Sequence, residues 1–118
     1  MKALRRRGAV LAAAVPLALT LSACGQQTER ESIAIASVGG APGFAPQEIT
    51  VHQENNVVLR VTNSLPGEHG FSIEGYRRTI VLAPGESQEV RFRASRGGTF
   101  RIYCQLHPAH QTATLIVR

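Results

Sequence analysis

The chain has 118 residues and a formal net charge of +5, with 43% hydrophobic and only 5% aromatic residues. This length predicts a single domain. Four of the thirteen basic residues lie within the first seven positions, and residues 24–118 contain nine arginines against eight glutamates. Because that balance leaves a charge of +1 on residues 24–118, the composition argues against binding to nucleic acid.

Residues 1–23 have the pattern of a secretory signal. The basic segment "MKALRRR" precedes an apolar run over residues 9–21, which is shorter than the roughly 20 residues that a membrane-spanning helix needs. The run ends in "LSAC", which resembles the lipobox of bacterial lipoproteins, in which the cysteine is lipidated and becomes the first mature residue. We therefore predict a lipoprotein signal peptide over residues 1–23, lipidation of Cys24 and a lipid-anchored linker over residues 24–31. The alternative is an ordinary signal peptide in which Cys24 occurs by chance.

With this signal, the protein is expected to be exported and anchored to the outer face of the cell membrane, or to lie in the periplasm. A lipidated Cys24 would leave Cys104 without a disulfide partner, since the chain has only two cysteines. A free thiol in an exported protein is unusual and needs a chemical reason.

From Ser32 onward the pattern is typical of an all-β domain. Eight short strands are predicted, at residues 32–39, 49–52, 57–63, 71–75, 79–82, 88–95, 99–104 and 112–117. In the sixth of these, Val90 and Phe92 alternate with two arginines, as in a strand with one buried face. The segment over residues 39–48 is rich in glycine and proline and is expected to be an irregular approach to the second strand. Turn signals recur every 8–12 residues, which predicts a Greek-key β-sandwich over residues 32–118.

One cysteine and two histidines lie close together near the end of the chain, in the stretch "YCQLHPAHQ". Cys104, His107 and His110 have the spacing C-x2-H-x2-H, and thiolate and imidazole are ligands that favour copper or zinc. Pro108 fixes its own φ angle and so stiffens the loop that must fold back to bring these groups together. His52, by contrast, is expected to be a solvated residue at a strand end. Two alternatives to a copper site are a buried core cysteine beside loop histidines and a zinc site.

From about residue 44 to residue 117, the chain resembles the cupredoxins, the family of small blue-copper proteins. The resemblance runs through the segments "FAPQEITV", "VVLRVTN", "HGFSIEG", "LAPGESQEVRF" and "GGTFRIYCQLHPAH". It implies that His69, Cys104 and His107 bind one copper ion. It also implies that Asn63 braces the ligand loops by hydrogen bonding.

The loop after Cys104 is similar to that of amicyanin, in which the residue six positions after the cysteine is an axial methionine. Here that position is His110, and residues 24–118 contain no methionine. The axial position therefore has three candidate ligands, which are the His110 imidazole, a backbone carbonyl and water. The "HGF" and "YCQ" segments are similar to the binuclear copper domain of nitrous oxide reductase and cytochrome oxidase subunit II. That domain needs two cysteines in its loop, so the single Cys104 predicts a mononuclear site.

The resemblance implies a non-enzymatic, extracytoplasmic copper protein that carries single electrons. The alternative is a copper chaperone or scavenger that delivers or buffers the ion. An enzyme with an open copper position is a weaker alternative, since Glu68 is the only acid–base candidate near the motif. The expected partners are an unidentified redox or copper-handling protein and, through the lipid anchor, the membrane.

Overall fold

The computed structural model describes residues 25–76 and 78–118, so the predicted signal peptide and Cys24 lie outside the described residues. The described chain forms strands and connecting turns. The strands are β1 (Thr28–Val38), β2 (Ala41–Ala45), β3 (Glu48–Val51), β4 (Asn56–Asn63), β5 (His69–Ile73), β6 (Arg78–Leu82), β7 (Ser87–Arg93), β8 (Gly98–Tyr103) and β9 (Ala113–Val117). Within these residues, no helix has the length and apolar character needed to cross a bilayer.

The strands form two sheets. One has four strands in the order β2-β1-β4-β7, and the other has five in the order β3-β9-β8-β5-β6. β1 runs parallel to β4 and β3 runs parallel to β9, whereas the other pairs are antiparallel. The predicted all-β sandwich is therefore confirmed, with nine strands in the described residues instead of about eight.

The additional strand is β2, in the segment whose glycine and proline residues predicted an irregular approach. It pairs with β1 alone and forms the edge of its sheet, where proline is tolerated because no ladder hydrogen bond is lost. Phe44 anchors β2 to the core, since it is 1% exposed and packs edge-on against Phe71 with ring centroids 6.1 Å apart.

The first strand begins earlier than predicted, at Thr28, so residues 28–31 of the predicted linker belong to the sheet and pair with β4. Because the start of β1 contains charged residues, the alternation of more and less exposed side chains in this strand is not visible in the sequence. Glu29 is accommodated there because the backbone N–H of His52 donates to one carboxylate oxygen at 2.7 Å, and the His52 ring lies 2.8 Å from the other. His52 directly follows β3 and is exposed, as predicted.

The core lies between the two sheets and consists of the inward-facing residues of every strand. Val90 and Phe92 are buried and the arginines between and after them are exposed, which confirms the predicted alternation. Cys104 follows the last residue of β8 and is itself buried against this core, at 2% exposure. The thiol therefore lies at the end of the core, next to the loop between β8 and β9.

Candidate metal centre

Four side chains meet at this end of the sandwich: His69, Cys104, His107 and His110. Their ligand atoms all lie within 4.8 Å of one another. His69 is the first residue of β5, whereas the sequence predicted it in the preceding loop, and Cys104 follows β8, the neighbour of β5 in the sheet. The other two histidines belong to the loop between β8 and β9. The structure therefore brings together all four residues that the sequence suggested as ligands.

Two successive turns explain the C-x2-H-x2-H spacing. The backbone N–H of His107 donates to the Cys104 carbonyl at 3.2 Å, and the N–H of His110 donates to the His107 carbonyl at 3.0 Å. A hydrogen bond between residues three apart closes a β-turn, and Pro108 occupies the second position of the second turn, where its fixed φ is favoured. Each turn folds the chain back on itself. The histidine that ends a turn is therefore close to the residue that begins it, so His107 and His110 both lie near Cys104.

The end of the loop is fastened to the opposite sheet by Gln111. Its backbone N–H donates to the Pro42 carbonyl at 3.1 Å, and its side-chain amide donates to the Val38 carbonyl at 2.8 Å. These bonds hold the loop to the β1–β2 hairpin. This function of Gln111 was not predicted from the sequence, in which its position directly after His110 is the only indication of it.

The Cys104 sulfur has two polar neighbours. It accepts a hydrogen bond from the backbone N–H of Gly70 at 3.2 Å, and it lies 3.5 Å from Nδ1 of His107. A hydrogen bond to sulfur stabilises the thiolate, which is the form that binds metal. Sequence reasoning missed the contribution of Gly70; the only signal was a glycine directly after His69.

His69 contains an unpaired buried polar atom. The residue is 7% exposed, and Nδ1 has no hydrogen-bond partner among residues 25–76 and 78–118. A buried polar group without a partner costs about 1–3 kcal/mol. A metal ion held by the cluster would remove this cost, so the unpaired Nδ1 is an independent indication of a metal site.

The three imidazole rings are packed against one another. His107 is exposed and stacks on the half-buried His110, with ring centroids 4.4 Å apart and planes 17° apart. Desolvation, and then the charges of His107 and His69, lower the pKa of His110. The lowered pKa favours the neutral imidazole, which is the form that binds metals.

The donor set and its dimensions fit one metal ion. Bonds of about 2.3 Å to sulfur and about 2.0 Å to nitrogen would place the ligand atoms of a tetrahedral site roughly 3.3–3.6 Å apart. The 3.5 Å between Cys104 Sγ and His107 Nδ1 lies within that range, and the four ligand atoms together span up to 4.8 Å, so the group needs a small contraction to hold one ion. One thiolate with imidazoles is a donor set that suits copper.

Asn63 is completely buried and supports the loop that leads to His69. Its side-chain amide donates to the carbonyls of Gly67 at 2.9 Å and Leu82 at 3.1 Å, and its Oδ1 accepts from the Leu65 N–H at 3.1 Å. Leu82 is the partner of His69 in the β5–β6 ladder. The side chain thus ties the loop to the strand opposite His69, as the bracing function predicted for Asn63 requires.

Sequence comparisons identify related proteins. A sequence model of the family described as "Cupredoxin-like domain" matches residues 10–117. Cytochrome c oxidase subunit 2 of Thermus thermophilus is 31% identical over 96 residues, which are 78% of this chain and 70% of the relative. A second Thermus thermophilus sequence of this subunit has the same identity, and there the match covers 56% of the relative.

Solved structures share the fold. The blue copper protein auracyanin A from Chloroflexus aurantiacus has a TM-score of 0.62 and 18% identity, over 77% of this chain and 99% of its own. A copper nitrite reductase from Nitrosomonas europaea has a TM-score of 0.66 and 17% identity, over 77% and 41%. A purple cupredoxin from Nitrosopumilus maritimus has a TM-score of 0.54 and 18% identity, over 75% and 99%. With its two-sheet sandwich, a His/Cys/His/His cluster suited to one copper ion, and a family match over nearly the whole sequence, this chain belongs to the cupredoxin-like domain family.

Proposed function

We propose that this chain is an extracytoplasmic, mononuclear copper protein that carries single electrons. The observation that carries the proposal is the convergence of one buried thiol and three imidazoles within 4.8 Å. His69, Cys104 and His107 would hold the ion, and His110 is the candidate fourth ligand. A bound copper ion would supply the one-electron couple, and the chain would supply its ligands and its rigidity.

Rigid ligands suit electron transfer, because the reorganisation energy is small when the ion changes its charge and its ligands do not move. His69 begins β5 and Cys104 directly follows β8, the neighbour of β5 in one sheet, and Gln111 fastens the loop that carries the other two ligands. The names of the relatives support the same function, since one is an oxidase subunit and another a blue copper protein. The partner is proposed to be an unidentified redox or copper-handling protein.

Copper titration of the protein is expected to end at one ion per chain. Binding to the folded state alone stabilises it, by about 2.7 kcal/mol at a hundredfold excess over Kd. The measurements are metal content, EPR of the Cu(II) form and thermal unfolding with and without copper. His52→Ala is the matched control, because this histidine is exposed and lies outside the cluster, and it should leave the stoichiometry unchanged. Saturation at two coppers per chain, or no binding, contradicts the proposal.

Copper delivery is the second candidate function, and the exposure of His107 favours it. An exposed ligand gives an incoming competitor access to the ion, as an exchange reaction requires. Mixing the loaded protein with a Cu(I) chelator separates the two functions. An electron carrier retains copper while it is reduced and reoxidised, whereas a carrier of copper gives up the ion at a rate that rises with chelator concentration.

We also propose that Cys24 is lipidated and anchors the protein to the outer face of the membrane. Support comes from the "LSAC" string after a basic and apolar leader. Expression in a bacterial host, followed by membrane fractionation and mass spectrometry of the mature N-terminus, should find a lipid-modified residue 24 in the membrane fraction. Cys24→Ala is expected to abolish the modification. A soluble product that is cleaved at another position would exclude the anchor.

A further inference from the structure

Gln105 directly follows Cys104, and its side chain is fixed at both ends of the carboxamide. Its Oε1 accepts a hydrogen bond from Ser72 Oγ on β5 at 2.9 Å, and its Nε2 donates to the Ile80 carbonyl on β6 at 2.8 Å. Ser72 is 1% exposed and alternates with core residues, so it faces the outer side of the sheet. The Gln105 carboxamide therefore covers the outer face of β5 and joins β5 to β6.

Gly70 lies beneath this carboxamide. A β-carbon at position 70 would overlap Oε1 and Cδ of Gln105 and would lie 2.6 Å from Nε2, whereas real β-carbons essentially never approach another atom within 3.0 Å. Gly70 is not one of the glycines with a positive φ. Glycine thus leaves room here for the carboxamide, and the reason is close packing and not backbone conformation. A larger residue at position 70 would displace Gln105 at the cost of its two hydrogen bonds.

The same glycine donates its N–H to the Cys104 sulfur at 3.2 Å. The dipeptide Cys104–Gln105 therefore contacts Gly70 twice, through the sulfur that accepts its N–H and through the carboxamide that covers its α-carbon. We propose that Gln105 is a positioning residue that holds the Gly70 amide against the Cys104 sulfur and thereby sets the reduction potential of the copper bound there.

Hydrogen bonding to the cysteine sulfur is one of the factors that tune the potential of such a site. The N–H withdraws electron density from the thiolate, which then stabilises Cu(II) less than an unbonded thiolate would. Without the carboxamide, Gly70 keeps its pairing with β6 but loses the group packed on its α-carbon, so we expect its N–H to lie farther from the sulfur. The potential is then expected to fall. This inference rests on the proposed copper function for the potential, but not for the geometry of the Gly70 amide.

The test compares Gln105→Ala and Gln105→Met with wild type. The first removes the carboxamide, and the second keeps the length of the side chain but loses both hydrogen bonds. Gln88→Ala is the matched control, because Gln88 also donates a carboxamide hydrogen bond to β6, to the Val81 carbonyl at 3.0 Å. In the metal-free protein, hydrogen exchange of the Gly70 amide is expected to become at least tenfold faster in both Gln105 variants and to stay unchanged in the control.

In the copper-loaded protein, both Gln105 variants are expected to shift the Cu(II)/Cu(I) ratio at a fixed potential by threefold to tenfold towards Cu(II). A tenfold shift corresponds to a potential lower by about 59 mV. The thiolate absorption band should shift in the same two variants. Unchanged exchange and unchanged potential in the Gln105 variants would overturn the proposal, as would equal changes in Gln88→Ala.

The two proposals fail in different ways. If wild type binds no copper, the proposed function is wrong, while hydrogen exchange in the metal-free chain still decides whether Gln105 holds the Gly70 amide. If Gln105→Ala does not fold, Gln105→Met decides the same question. If both variants only lower the thermal stability and leave the Gly70 exchange and the potential as in wild type, Gln105 is a structural residue and the proposal is overturned.

Discussion

Replacing Cys104 with serine is expected to abolish the intense visible absorption of the copper-loaded protein. That absorption requires a thiolate bound to Cu(II), and a serine hydroxyl is neither ionised at neutral pH nor a soft ligand. Changes in the residues around a metal ligand cost 10–100-fold in affinity, so loss of the ligand itself should weaken copper binding by more than about a hundredfold. Optical spectroscopy and a competition titration measure the two effects.

The fold of the variant needs its own control, because the sulfur is buried at 2% exposure. A buried hydroxyl without a good partner costs roughly 1–3 kcal/mol, and Gly70 N–H remains as a donor to the serine oxygen. Cys104→Ala removes the ligand without introducing a hydroxyl. Both variants should lose the absorption while the metal-free forms remain folded by circular dichroism. An unchanged spectrum in Cys104→Ser would show that the thiolate is not a ligand.

The strands with one buried face were predictable because their side chains alternate. β7 is the clearest example, with Val90 and Phe92 inside and arginines outside. Two features were not predictable, because both depend on contacts between residues that are far apart in the sequence. β2 contains a proline and a glycine, and β1 begins with charged residues whose acceptance depends on His52, a residue 23 positions away from Glu29. Local sequence does not contain these long-range contacts.

The candidate site likewise has a part that the sequence predicts and a part that it does not. The three donors of the β8–β9 loop lie close in sequence, and two turns suffice to gather them. His69 is 35 positions from Cys104, and only the resemblance to a known family connected the two. The contacts that hold the sulfur could not be predicted from the sequence. The Gly70 hydrogen bond and the packing of Gln105 on Gly70 depend on the pairing of β5 with β6 and β8.

The geometry strengthens one of the three axial alternatives. His110 is half-buried, its ring stacks on His107, and its ligand nitrogen belongs to the group of four within 4.8 Å. The ring packing alone does not require a metal, but the position of the ligand nitrogen within the group of four favours the imidazole over a carbonyl or water. We therefore propose the imidazole of His110, and not a backbone carbonyl or water, as the axial ligand.

Replacing His110 with methionine is expected to raise the reduction potential and to move the colour of the Cu(II) form towards blue. A neutral imidazole is a much stronger ligand for Cu(II) than a thioether, so the native site should have a low potential and a green or red colour. Loss of a tenfold preference for Cu(II) raises a one-electron potential by about 59 mV, and we expect at least that change. Voltammetry and optical spectroscopy measure it, and His52→Met controls for the addition of a methionine elsewhere on the surface.

His110→Ala separates loss of the imidazole from gain of the thioether. If the imidazole is the axial ligand, the alanine variant should also change in potential and spectrum, because the position is then open to water. The changes should differ from those of the methionine variant, since water and thioether stabilise Cu(II) to different extents. If the alanine variant keeps both the potential and the spectrum of wild type, His110 does not bind copper, and the axial position belongs to a backbone carbonyl or to water, which the substitution leaves in place.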